Sequence, residues 1–160
     1  MKTFYDYYNN KVQLAFDSQP FESYPKHVWV ICRYKKKWLL TRHKNRGLEF
    51  PGGKVEKNES PNQAAIREVL EETGGEVEQL TYLGQYFVWG KREQLAKNIY
   101  FATVKTLQEK NDYYETDGPV LLEILPKNIK TNKSYSFMMK DDVLTYSLDY
   151  IKNKAELMYS

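Results

Sequence analysis

Apolar and polar residues alternate along most of this chain at the two-residue period of half-buried strands, and a longer, helical period replaces it in two places. Lys11 to Asp17 alternates as a strand. His27 to Arg33 and Trp38 to Arg42 are β-rich runs on either side of Lys35-Lys36-Lys37, which reads as a solvated hairpin turn, and Leu48 to Phe50 is a short lead into the glycine turn Pro51-Gly52-Gly53. Further strand-like stretches lie near Gln79 to Trp89, Asn98 to Val104 and Val120 to Ile124. The segment from Met139 to Lys152 has helical spacing, with Val143, Leu144, Tyr146, Leu148 and Ile151 on or near its apolar side. No internal repeat or low-complexity linker interrupts the pattern.

The other helix has explicit start and stop signals. Ser60 can cap it, Pro61 suits its first position and Gln63 completes a capping box, so it is predicted to begin at about residue 61. Gly74 can end it in the left-handed conformation. Ala65, Ile66, Val69, Leu70 and Thr73 are predicted to cover its core side, while Glu68, Glu71 and Glu72 fall within an arc of about 100° on the other. Helices against a mixed sheet predict an α/β fold, an α/β/α sandwich.

Composition adds bounds to this picture. The 160 residues suit a single domain over residues 1–160. No apolar stretch is long enough to span a membrane and the first ten residues are polar and tyrosine-rich rather than signal-like, so a cytoplasmic protein is expected. Cys32 is the only cysteine, which excludes an intrachain disulfide, and its apolar surroundings predict a buried structural thiol. A net charge of +3 permits a polyanionic substrate without requiring one. No stable protein partner can be inferred.

Three glutamates on one helix face are either a solvated acidic surface or a cation site. Each like-charged pair costs an isolated helix about 0.2–0.5 kcal/mol, and the helix dipole disfavours anions near the C-terminal end. Arg67, four residues before Glu71, can offset one charge; a hard divalent cation such as Mg²⁺ or Mn²⁺ can offset more. Gly53 and Glu59 at fixed distances before the helix favour the cation. Such a cation can neutralise a diphosphate and acidify a bound water, which suits hydrolysis of a phosphoanhydride.

The stretch from Gly53 to Gly74 resembles the Nudix box: glycine, five residues, glutamate, seven residues, then Arg-Glu-apolar-x-Glu-Glu-x-Gly-apolar. Every specified position matches except the last, where Gly75 stands and Val77 can serve in its place. The resemblance implies that Glu68, Glu71 and Glu72 ligate the metal, that Glu68 or Glu72 helps deprotonate the attacking water, and that the Gly52 carbonyl is a further ligand. It gives Gly53, Glu59, Arg67 and Gly74 structural roles. Such sites often add an acid from a distant loop, and Glu115 is preferred here over Asp112 and Asp117. Lys54, Arg46 and Lys97 are candidate phosphate contacts.

Beyond the box, HVWVICRYKKKWLLTRH, GLEFPGGKVE, YLGQYFVWGK, KNIYF, YETDGPVL and SFMMKDDVL are similar to the bacterial MutT/YtkD-type Nudix hydrolases. That similarity implies purine nucleoside triphosphates, guanine above all, either free or at the 5′ end of RNA. A base splayed from a single strand can stack on an aromatic ring, and Tyr86 and Phe137, then Trp89, are the candidates. Three readings follow: an RNA pyrophosphohydrolase with some nucleoside triphosphatase activity, a sanitising triphosphatase for oxidised guanine nucleotides, and a non-catalytic Nudix-fold binding or regulatory domain. The intact acidic cluster disfavours the third.

Overall fold

In the computed structural model, which describes residues 1–154, the middle of the sheet buries both faces, each under its own apolar layer. Strand β3 (His27–Tyr34) shows this residue by residue. Val28, Val30 and Cys32 point to a layer that includes Ala64, Ala65 and Val69 of helix α1 (Pro61–Thr73). Trp29 and Ile31 point to the opposite layer, with Val143, Leu144 and Ile151 of helix α2 (Asp142–Lys152). The expected α/β/α sandwich is therefore observed. Residues 155–160 of the expected domain lie outside the described residues.

The sheet is mixed. β1 (Lys2–Tyr5), β2 (Lys11–Phe16), β7 (Gly75–Trp89), β8 (Gln94–Leu107), β3, β4 (Lys37–His43) and β5 (Gly47–Glu49) lie side by side in that order; β6 (Gly52–Lys54) also pairs with β3, and β9 (Thr116–Leu122) with β4. The β3–β8 pairing is parallel and the other pairings are antiparallel. Lys35 and Lys36 both have positive φ, 48° and 67°, and form the two-residue turn of a hairpin whose last pair is Tyr34 with Lys37. The predicted turn thus forms at Lys35 and Lys36, while Lys37 already belongs to β4. Cys32 is a free, fully buried thiol, and burial pushes its pKa up. No described helix is long and apolar enough to cross a membrane.

Four local expectations change. Residues 2–5 form strand β1, because pairing with β2 supplies backbone partners that alternation alone does not reveal. The glycine turn is itself a short strand, β6, paired with β3. Helix α2 starts at Asp142, after a 3-10 turn at Phe137–Met139. Lastly, α1 is rotated from the predicted facing: Ala64, Ala65, Val69, Glu72 and Thr73 are buried, while Ile66 and Leu70 are each 44% exposed. Small side chains let the helix approach the sheet closely, and that approach carries Glu72 inward.

Candidate active site

Helix α1 begins and ends as its residues dictate. Ser60 Oγ accepts from the Gln63 N–H at 3.1 Å while Gln63 Oε1 accepts from the Ser60 N–H at 2.9 Å. Gly74 closes the helix at φ 77°, with its N–H donating to the Leu70 carbonyl. The last-turn carbonyl of Glu72 accepts from the hydroxyls of Thr41 and Thr116, which moors the helix end to β4 and β9.

Arg67 organises the acidic face. Its Nε and Nη2 donate to both carboxylate oxygens of Glu59, at 2.7 and 3.0 Å, and Nη2 also reaches the Lys54 carbonyl. Its Nη1 donates to Glu68 Oε1 at 2.8 Å and Glu71 Oε2 at 3.2 Å, and lies 3.6 Å from Glu56 Oε1. One guanidinium thus ties helix, loop and strand β6 together. Gly53 has a similar structural meaning, since a Cβ there would stand 2.5 Å from Glu68 Oε1.

The three helix glutamates are not equivalent. Glu72 is buried, and its Oε1 accepts from the Gly52 N–H at 2.9 Å. Burial raises its pKa to about 8 in spite of that bond, with Glu68 and Glu49 adding repulsion. Glu68 rises to about 7, again through burial first, although Arg67 pulls it down. Glu71 remains half-buried beside Arg67.

These carboxylates line one side of a cleft of about 670 Å³. Gly52, Gly53, Lys54, Arg46, Lys97, Glu115, Phe137 and Arg67 line it as well. Lys54, His27 and Lys97 are in register across β6, β3 and β8, so they form one row at the edge of the cleft. His27 was not anticipated. Burial, and then Lys97, lower its pKa to about 4, and its buried Nδ1 has no hydrogen-bond partner among the described residues. Only the strand register gives it away. Arg46 meets the cleft while its Nε and Nη2 hold the buried carboxylate of Glu49 at 3.2 and 2.7 Å.

A Nudix domain model matches residues 23–121. The chain belongs to the Nudix family. The chain is 59% identical over 155 residues to a Bacillus subtilis protein named putative 8-oxo-dGTP diphosphatase YtkD, covering 97% of this chain and 98% of that one. It also matches a crystal structure of the Bacillus subtilis pyrophosphohydrolase BsRppH in its E68A form, with a TM-score of 0.95 and 57% identity over 96% of this chain and 98% of that one. A Nudix hydrolase structure from Nitrosomonas europaea, 20% identical with a TM-score of 0.64 over 81% of this chain and 90% of that one, shares the fold.

The candidate Nudix site residues differ in position from expectation in two respects. Tyr86 is buried on the central strand β7 and does not line the cleft; Lys97 Nζ sits 5.8 Å from its ring centroid, so Tyr86 supports a cation rather than offering a free stacking face. Trp89 packs against Phe87 and Phe21, away from the cleft lining. Phe137 does line the cleft. Among the loop acids, Glu115 reaches it, with Oε2 3.9 Å from His43 Nε2; Asp112 instead accepts from the Tyr114 N–H within its turn, and Asp117 is exposed outside the lining.

The donor set suits a divalent cation. No three described side chains of metal-binding type already converge as a ligand cluster, since Glu68 and Glu71 turn to Arg67. Yet Glu68, Glu71 and Glu72 are hard oxygen donors on one helix face, and burial, with added repulsion from neighbouring carboxylates, raises the pKa values of Glu68 and Glu72. Glu68, Glu71 and Glu72 would hold the ion, with the Gly52 carbonyl and Glu115 as further candidates.

Proposed function

We propose that this Nudix hydrolase is a divalent-cation-dependent, cytoplasmic enzyme that removes phosphate or pyrophosphate from the 5′-triphosphate end of RNA, with some activity on free purine nucleoside triphosphates. The observation that carries this reading is the composition of one open cleft. Acidic groups stand along α1, the cationic Lys54 and Lys97 stand on β6 and β8 with Arg46 in the turn between β4 and β5, and Phe137 lines the same cleft. Such a cleft suits a polyphosphate chain with a base beyond it. The pyrophosphohydrolase activity of the 57%-identical BsRppH supports the same assignment.

Nudix hydrolases generally use divalent metals. Mg²⁺ or Mn²⁺ bound among these carboxylates supplies charge neutralisation and acidification of a coordinated water. Lys54, Lys97 and Arg46 orient the phosphates, and Arg67 with Glu59 keeps the helix and its loop in place. Glu68 or Glu72 accepts the proton of the attacking water.

A second reading, a sanitising triphosphatase for 8-oxo-dGTP, rests on the 59%-identical Bacillus subtilis relative, named putative 8-oxo-dGTP diphosphatase. Product analysis with triphosphorylated RNA, GTP and 8-oxo-dGTP under one Mg²⁺ or Mn²⁺ condition separates the two. Conversion of RNA ends to monophosphate with kcat/KM at or above that for the free nucleotides is expected. An RNA value tenfold below that for 8-oxo-dGTP would transfer the assignment to the second reading.

A further inference from the structure

The N-terminal hairpin holds large aromatic side chains out in solvent, and it holds them firmly. Between β1 and β2, Asp6 Oδ1 accepts from the N–H groups of Tyr8 and Asn10, at 3.0 and 2.8 Å, and Asp6 Oδ2 accepts from Asn10 Nδ2. The Asp6 N–H donates to the Asn10 carbonyl, the Asn9 N–H donates to the Asp6 carbonyl, and Asn9 takes φ 62°. This knot leaves Tyr7 and Tyr8 53% and 55% exposed. Tyr7 and Tyr8 meet edge to face at 5.2 Å, Tyr8 lies 5.0 Å from Phe137, and Lys140 Nζ sits 5.3 Å from the Tyr7 ring centroid.

These residues line a second, shallower cavity of about 270 Å³ with Asn45 and Arg46. Arg46 and Phe137 also line the larger cleft, so the two run into each other. We propose that this surface is a track for the single strand of RNA leaving the active site, with bases downstream of the 5′ end stacking on Tyr7 and Tyr8 and a strand phosphate held by Lys140. The proposal rests on the RNA reading above. Exposed rings interleaved with cations match a single strand, because every base offers a π-face and every linkage a negative charge. A free nucleoside triphosphate, by contrast, ends within the first cleft.

The test is kcat/KM on GTP and on triphosphorylated oligonucleotides of two, three, four and six residues, for the full chain and for Tyr7→Ala, Tyr7→Phe and Lys140→Ala. For the unaltered chain, kcat/KM should rise with length and then level off. Tyr7→Ala should lower kcat/KM on the six-residue RNA about fivefold or more relative to its effect on GTP, mainly through KM, and Tyr7→Phe should restore it. Lys140→Ala should reduce the slope of log affinity against log salt by about 0.7, the contribution of one single-strand phosphate. Turnover of the RNAs with no length dependence, or equal losses on RNA and GTP in Tyr7→Ala, overturns the track while leaving the RNA assignment intact. Failure of the unaltered chain to act on any of the RNAs removes the assignment itself, and the track with it.

Discussion

Glu68 Oε1 lies where a side chain on Gly53 would have to go, 2.5 Å from the position of a Cβ. The glycine therefore lets the helix carboxylate lie against strand β6, which links the first position of the box to the chemistry fifteen residues later. Gly53→Ala should displace the carboxylate and lower activity by about 10–100-fold, the usual effect of disturbing a ligand's support. The atom in the way is the end of a flexible side chain, so the fold should survive. Titration calorimetry with Mn²⁺ should show weaker binding with an almost unchanged melting temperature; full activity in the variant would refute the role.

Glu68→Gln and Glu72→Gln should each lower kcat by at least about 100-fold, the lower end of the contribution of a placed acid or base. Glu71→Gln should chiefly lower metal affinity, so that more Mg²⁺ or Mn²⁺ is needed for half-maximal activity. Hydrolysis should stop with chelator and return with Mg²⁺ or Mn²⁺. Chelator-resistant turnover would overturn this account.

Stability and activity should respond to pH in opposite senses. Glu68 and Glu72 bind protons more tightly folded than unfolded, so the stability they contribute is complete below the ordinary glutamate pKa and is lost as pH rises through about 7 and about 8. Asp141, raised to about 6 by burial, acts likewise at lower pH, and His27, lowered to about 4, opposes them only up to the ordinary histidine value of 6.5. Between pH 6.5 and 8, metal-free protein should thus lose on the order of 1–2 kcal/mol in urea melts, and Glu72→Gln should flatten that slope. Activity with metal should rise over the same range as these carboxylates become able to bind the ion. A metal-free stability that climbs with pH would contradict the assignment.

Glu115 and Asp117 are two residues apart, but only Glu115 lines the cleft. Glu115→Gln should slow turnover about tenfold or more, whereas Asp117→Asn should change it little. Equal, small effects in steady-state assays would return Glu115 to the role of a surface acid.

Two aromatic substitutions should separate core from cleft. Tyr86→Ala removes a buried ring and should cost about 3–5 kcal/mol of stability, losing activity on RNA and GTP alike. Phe137→Ala should weaken action on triphosphorylated RNA by about 1–3 kcal/mol of transition-state stabilisation, with a smaller effect on GTP, and should alter any dependence on the second base. Parallel denaturant melts and kcat/KM measurements read both. An equal loss on the two substrates in Phe137→Ala would argue against base stacking there.

What the sequence determined by itself is what neighbouring residues decide. The Ser60–Gln63 capping box, the left-handed stop at Gly74 and the hairpin turn at Lys35-Lys36 depend on contacts a few residues apart and form where the pattern places them, and the alternating runs mark most strands to within a few residues. The spacing from Gly53 through Glu59 to Glu72 likewise encodes one loop and one helix, so the acidic cluster was legible before any fold. Tertiary structure decided the rest. The rotation of α1 that buries Glu72 and exposes Ile66 depends on how closely small side chains let it approach the sheet. The row of Lys54, His27 and Lys97 exists only in the register of three strands distant in sequence. Tyr86 has the same chemistry as an exposed stacking ring, but its strand lies in the middle of the sheet, and neighbours on both sides and a core layer close over it.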